Sequence, residues 1–141
     1  MVSLWLLEAS GCIADEQAVI AIKKIWELEK IVYDSAVTPD GWGAARLHLD
    51  MAKLYARLNN KEEAIKYLKI AAEKAKVFDR RPEEQTFSSM LLGNIISRKI
   101  DFETADTRML CEIMRDKWLS CSEFDKIHDT NEFKEIINIL Y

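Results

Sequence analysis

Apolar residues recur every three or four positions along most of this chain, which is the spacing of residues on one face of an α-helix. No segment alternates apolar and polar residues for long enough to predict a β-strand. The pattern predicts up to eight helices: one to Ser10, one from Asp15 to the break at Thr38-Pro39-Asp40-Gly41, Gly43 to Leu58, Asn60 to about Phe78, Pro82 to Gly93, Thr104 to Leu119, a short one from Ser122, and one capped by Thr130. The stretch from Asn94 to Glu103 has no clear pattern. The expected fold class is therefore all-α, with seven or eight helices.

The two helices over residues 43–78 form the most regular part of this pattern. They are joined by the two-residue turn Asn59-Asn60, and Asn60 is expected to cap the second helix, with Glu63 three residues on. The residues at their expected contact are small or aromatic, namely Ala52, Tyr55, Ala64, Leu68 and Ala71. Alanines at a crossing let two helix backbones approach closely. The spacing is typical of the tetratricopeptide repeat, which is an antiparallel helix hairpin.

This hairpin predicts a single tetratricopeptide-like domain over residues 1–141. We expect an antiparallel helix-hairpin stack wound into a right-handed α-α superhelix, with a clear repeat hairpin at 43–78 and a C-terminal helical cap at 104–141. A strict 34-residue period from Ala64 falls on Lys30, which does not suit a helix contact, whereas Ala18 fits a longer period. The repeats are therefore expected to be unequal.

Composition agrees with long helices, since the 141 residues include four glycines and two prolines and 31% of them are charged. The net charge of −4 argues against a general attraction to nucleic acid, because a phosphate-binding domain is expected to be basic. The chain has an odd number of cysteines, namely Cys12, Cys111 and Cys121. No signal peptide is recognisable. The apolar N terminus is too short to span a bilayer. These features favour a cytoplasmic protein with no membrane contact.

Catalysis and metal binding are not expected from this sequence. His48 lies on the packing side of its helix and His128 near a helix end, and neither is spaced with a serine or cysteine as in hydrolases. Cys111, Cys121 and His128 match no zinc spacing. No glycine-rich phosphate loop is present. The sequence therefore predicts no enzyme, no metal site and no cofactor.

Four residues of the third predicted helix are candidates for contacting a partner. In tetratricopeptide repeats the first helix of each hairpin lines the groove, and here Arg46, Leu49, Lys53 and Arg57 are the residues not used for packing. Cations around an apolar residue are suited to holding a peptide carboxylate while the groove takes its side chains. The alternative is an ordinary solvated helix face.

A helix-turn-helix was also considered for residues 85–100. Gln85, Ser89 and Gly93 have the spacing of that motif, but Lys99 falls where an apolar anchor is expected. The would-be recognition helix then runs into Asp101 and Glu103, which would repel phosphates. Direct DNA binding by this segment is therefore not favoured.

From about Asp15 to its end, the chain resembles the C-terminal half of Firmicutes-type XRE-family transcriptional regulators. The residues that carry the resemblance are the segment Ala64–Ala75, Phe78-Asp79, Ser88–Asn94, Phe124–Asp129, Glu132-Phe133, Ile136 and Leu140. His128 stands where the family usually has an arginine. In such regulators an N-terminal helix-turn-helix binds DNA, and the helical half dimerises or senses a partner.

The resemblance implies a regulatory, sensing and dimerisation domain that binds a peptide or protein partner, with a homodimer as one expected partner. The DNA-binding domain is expected to be absent, so DNA contact would require a missing N-terminal helix-turn-helix. The alternative is a generic protein-interaction scaffold of tetratricopeptide type with no link to transcription.

Overall fold

The computed structural model describes residues 14–34, 41–99 and 106–141 of the chain. Its long helices are α1 (Asp15–Val32), α2 (Gly41–Arg57) and α3 (Lys61–Arg80). A two-stranded antiparallel sheet follows, with β1 at Glu84–Ser89 and β2 at Gly93–Arg98. The C-terminal part contains α4 (Leu110–Ile113), a π-helical turn (Met114–Trp118), a 3₁₀ turn (Ser122–Phe124) and α5 (Asn131–Ile139). The first predicted helix, up to Ser10, lies outside the described residues.

Helices α2 and α3 pack closely because both have small side chains at their contact. The alanines and Leu68 that the sequence placed there have no exposed surface, and Tyr55 is 9% exposed. Asn59 adopts a left-handed conformation with φ of 58°, which asparagine tolerates better than most residues. The Asn60 side chain then accepts a hydrogen bond from the Glu63 amide at 3.2 Å and caps α3.

The core continues on both sides of this helix pair. Ala18, Ile22 and Ile25 share one face of α1 and are buried in the same cluster as α2. On the other side, α3 contacts α4 and α5. Phe124 and Phe133 of the C-terminal part are completely buried. The helix pair is thus covered by α1 and by the C-terminal segment.

The all-α prediction is wrong, because residues 84–98 form a β-hairpin where a fifth helix from Pro82 to Gly93 was expected. Its register pairs Glu84 with Arg98 and Phe87 with Ile95. The helix-turn-helix considered over residues 85–100 is excluded for the same reason. In the described residues a β-hairpin, and not a second helix hairpin, follows α3. The tetratricopeptide-like stack of seven or eight helices and the helical-repeat description are therefore also wrong.

The chain leaves the helical conformation at a proline. Arg81 precedes Pro82 and has an extended backbone with φ of −67° and ψ of 156°, because the proline ring disfavours the helical region for the residue before it. The β-branched Thr86, Ile95 and Ile96 then favour strands. The same proline and the two acids after it also fit the first turn of a helix, which is why the sequence predicted one here.

A three-residue turn, Met90 to Leu92, joins the two strands. Gly93 follows it with φ of 70°, as expected for the left-handed residue that ends a three-residue hairpin loop. Gly93 was predicted to terminate a helix, and it closes a hairpin instead.

The C-terminal part is less helical than predicted. The expected helix from Thr104 to Leu119 is reduced to the single turn of α4 and the π-helical turn after it, and residues 104 and 105 lie outside the described part. Asp79 at the end of α3 accepts hydrogen bonds from the Leu110 and Cys111 amides, both at 2.8 Å, and so caps α4. Thr130 caps α5, as the sequence predicted, by accepting from the Phe133 amide. Within the described part of the chain, no helix combines the length and the hydropathy needed to cross a bilayer.

Candidate functional site

The four predicted partner-binding residues lie on α2, and Leu49 lies deepest among them. Leu49 has no exposed surface and belongs to the hydrophobic core, whereas Lys53 is half-buried. The structure therefore does not place Leu49 on an accessible surface between the cations.

Arg57 is held by acidic side chains from two other elements. It donates hydrogen bonds to both Asp15 carboxylate oxygens, at 2.9 and 3.0 Å, and one of its nitrogens lies 3.6 Å from Glu123. Hydrogen bonding lowers the pKa of Asp15 and raises the pKa of Arg57. Arg57 thus ties the end of α2 to the start of α1 and to the 3₁₀ turn.

Arg46 contacts an acidic and an aromatic side chain. Its Nε lies 3.4 Å from Asp50, and its guanidinium carbon lies 5.3 Å from the centre of the Trp118 ring. Trp118 packs edge-on against Trp42 at 5.3 Å. Burial raises the pKa of the Asp50 carboxyl, and Arg46 opposes that rise. Two of the three predicted cations are therefore engaged within the chain, and the binding role of all four residues stays a prediction.

The side chains of Cys111 and His48 have the surroundings of structural residues and not of catalytic ones. Burial raises the pKa of the Cys111 thiol to about 12, so the reactive thiolate is disfavoured. His48 is buried, and its Nδ1 donates to the Ala44 carbonyl oxygen at 2.7 Å. Across the described ranges, no three histidine, cysteine, aspartate or glutamate side chains are grouped so that they could hold a metal ion.

His48 makes stability depend on pH. It packs between Trp26 and Tyr67, with Lys74 nearby, and burial lowers its pKa below 6.5. Between that folded-state pKa and 6.5 the unfolded chain binds more protons, so the free energy of unfolding should fall as pH falls below 6.5. The slope that His48 contributes should be at most about 1.4 kcal/mol per pH unit.

Urea unfolding between pH 7 and pH 5 measures this slope. His48→Gln should flatten it. Equal slopes for the wild type and His48→Gln would contradict the assignment.

A scan against models of protein families, a search of curated proteins and a search of solved structures each found no match. No family is identified. The resemblance to XRE-family regulators, and the absence of enzymatic activity, stay predictions.

Exposed apolar side chains are concentrated on the β-hairpin and near the end of α1. Six of the ten large apolar residues that are exposed in the described ranges belong to two neighbouring segments, Met90, Leu91, Leu92 and Ile96 of the hairpin and Leu28 and Ile31 of α1. Met90 is 91% and Leu91 67% exposed. We call these six residues the hairpin surface.

Hydrogen bonds hold the hairpin turn against the end of α1. The Ser89 hydroxyl donates to the Val32 carbonyl oxygen and accepts from the Leu91 and Leu92 amides. The Asp34 carboxylate accepts from the Met90 amide at 2.6 Å. The apolar turn is thus held against the end of α1, the helix that carries Leu28 and Ile31.

Arg81 holds the base of the hairpin to α3. Its guanidinium donates to the carbonyl and hydroxyl oxygens of Ser97, both at 3.0 Å. The same group lies 5.4 Å from the Phe78 ring centre and 6.0 Å from that of Phe87. Arg81 therefore joins α3, β1 and β2.

Neither the hairpin surface nor the role of Arg81 was predicted from the sequence. The Ile95-Ile96 pair after Gly93 was an available signal, because β-branched residues following a turn glycine favour a returning strand. Arg81 carried no local signal, since its partner Ser97 is 16 residues away.

Proposed function

We propose that this chain is a dimerisation and sensing domain whose second copy binds at the hairpin surface. The concentration of exposed apolar side chains on the hairpin and near the end of α1 carries the proposal, since exposed apolar residues gathered in one region often mark an interaction site. The link to transcription comes from the resemblance to XRE-family regulators and is part of the proposal.

A second copy suits this surface for two further reasons. The described sheet has only two strands, and a strand edge without a neighbouring strand is a template for pairing with an identical one across a two-fold axis. The outer face of the hairpin carries the oppositely charged pair Glu84 and Arg98, 3.0 Å apart. A two-fold interface that contains both signs can avoid placing like charges together.

Changing Leu91 to aspartate should weaken dimerisation. Because Leu91 is exposed in a turn, the variant should fold, and the charge would lie unpaired in the interface. We expect a dimer dissociation constant roughly 100-fold higher than that of the wild type. Sedimentation velocity of the full chain over a range of concentrations measures it.

Ile20→Asp is the matched control, because Ile20 is an exposed apolar residue of α1 (55% exposed) outside the hairpin surface. It should dimerise like the wild type. A wild type that stays monomeric at all concentrations would overturn the proposal, and so would equal dissociation constants for Leu91→Asp and Ile20→Asp. Capture of a different protein by a monomeric chain would favour the scaffold alternative.

A further inference from the structure

A cavity of about 330 Å³ lies where the start of α2, the end of α3 and β1 meet. It is lined by Gly41, Ala44, Lys74, Val77, Phe78, Arg80, Arg81, Pro82, Gln85 and Phe87. Its volume is at the lower end of the range for small-molecule sites, which is about 300–1,000 Å³. The cavity is separate from the hairpin surface.

The charges around this cavity have one sign. Lys74, Arg80 and Arg81 line it, and none of the described lining residues is acidic. That is unusual for a chain whose net charge is −4. Burial also lowers the pKa of Lys74, and a bound anion nearby would oppose that shift. The cavity is thus electrostatically suited to an anion.

The rest of the cavity wall is mostly apolar. Phe78 and Phe87 contribute aromatic rings, and Val77, Ala44 and Pro82 contribute aliphatic surface. Arg81 is held by Ser97 and the two rings, so it fixes the shape of the wall. The other two cations of the wall are the exposed Arg80 and Lys74, whose ammonium lies 5.2 Å from the centre of the Trp26 ring. The amide of Gln85 is the one uncharged polar side chain in the described lining.

We propose that this cavity binds a small monocarboxylate with an apolar body, of the size of a medium-chain fatty acid. The carboxylate would meet Lys74 and Arg80, and the apolar body would lie against Phe78, Phe87 and Val77. A peptide fits less well, because a single uncharged amide side chain cannot bond the donors and acceptors of several peptide groups. The site is independent of the proposed dimerisation.

Isothermal titration calorimetry of the full chain with octanoate tests the proposal, and octanamide is the neutral ligand of the same shape. Octanoate should bind with a dissociation constant on the order of 10⁻⁴–10⁻³ M. Octanamide should bind at least about tenfold more weakly, because it has no negative charge to pair with the cations and only one acceptor oxygen where the carboxylate has two.

Two variants and one control locate the site. Arg80→Gln should weaken octanoate binding about three- to tenfold. Val77→Glu, which places a carboxylate beside the cations, should abolish measurable binding. Lys69→Gln removes an exposed cation of α3 that is not among the described lining residues, and it should bind octanoate like the wild type.

Three results would overturn the proposal. They are no octanoate binding at about 10 mM, equal affinity for octanoate and octanamide, or equal weakening by Arg80→Gln and Lys69→Gln. The last result would indicate attraction to the surface charge in general. Because the titration does not require a dimer, a monomeric chain that binds octanoate would contradict the proposed dimerisation and leave this site standing.

Discussion

Replacing Leu49 by alanine is expected to lower the free energy of unfolding by about 3–4 kcal/mol. Leu49 has no exposed surface and belongs to the core that α2 shares with its neighbours. Truncating a buried leucine removes apolar contacts and leaves a cavity that the surrounding side chains fill only partly, which typically costs about 2–5 kcal/mol. Urea unfolding of the variant and the wild type measures the difference.

Truncation of Ile20 is the control, because Ile20 is 55% exposed and lies outside the hairpin surface. Ile20→Ala should change stability by less than about 0.5 kcal/mol. The comparison also bears on the partner-binding role predicted for Leu49. If Leu49 lined an open groove, its truncation would weaken partner binding and barely change stability. A small effect at Leu49 would therefore contradict its placement in the core.

Replacing Arg81 by alanine is expected to lower the free energy of unfolding by about 2–4 kcal/mol. The variant loses two hydrogen bonds from a charged donor to Ser97 and the stacking on Phe78 and Phe87. Bonds to charged groups contribute about 1.5–3 kcal/mol, and a partly buried cation–π contact contributes about 0.5–2 kcal/mol. Urea unfolding measures the total, and amide hydrogen exchange in β1 and β2 should accelerate with it.

Two comparisons make the Arg81 result specific. Arg81→Lys should recover only a small part of the stability, because an ammonium group has neither the planar shape nor the forked donors of guanidinium. Arg80→Ala, at the exposed neighbouring position, should change stability by less than about 0.5 kcal/mol. Unchanged exchange in the hairpin of Arg81→Ala would show that Arg81 does not hold it to α3.

The helices were predictable because the signals that form them are local. Spacing and capping placed α2 and α3 within a few residues of their observed bounds, and Asn60 and Thr130 cap helices as expected. Each of these features depends on residues three or four positions apart. The helical spacing of residues 64–78 is therefore sufficient to predict α3.

The β-hairpin was not predicted because the contacts that stabilise it come from distant parts of the chain. A two-stranded hairpin alone is marginal in water, and this one is held by Ser89 to Val32 and by Asp34 to Met90, across 57 and 56 residues respectively. Neither partner can be read from the segment 84–98. A proline followed by two acids fits a helix start equally well. The local pattern therefore predicted a helix where the structure has a strand.

The candidate sites depended on tertiary structure even more strongly. The helical spacing of Arg46, Leu49, Lys53 and Arg57 predicted one shared face, but it carried no information on what covers that face. Asp15 and Glu123, which meet Arg57, lie on distant segments. Likewise, Arg80 and Phe87 line one cavity only because the chain reverses after Pro82.

The sequence by itself determined the long helices, the caps at Asn60 and Thr130, the close α2–α3 contact and the overall acidic charge, because periodicity, capping and composition act over short distances along the chain. Only the tertiary structure decided that a β-hairpin follows α3, that Leu49 is buried, and that three cations meet two phenylalanine rings around a cavity. The physical reason is that these features come from contacts between segments far apart in the chain. Such contacts produce no periodic pattern in the sequence of either segment.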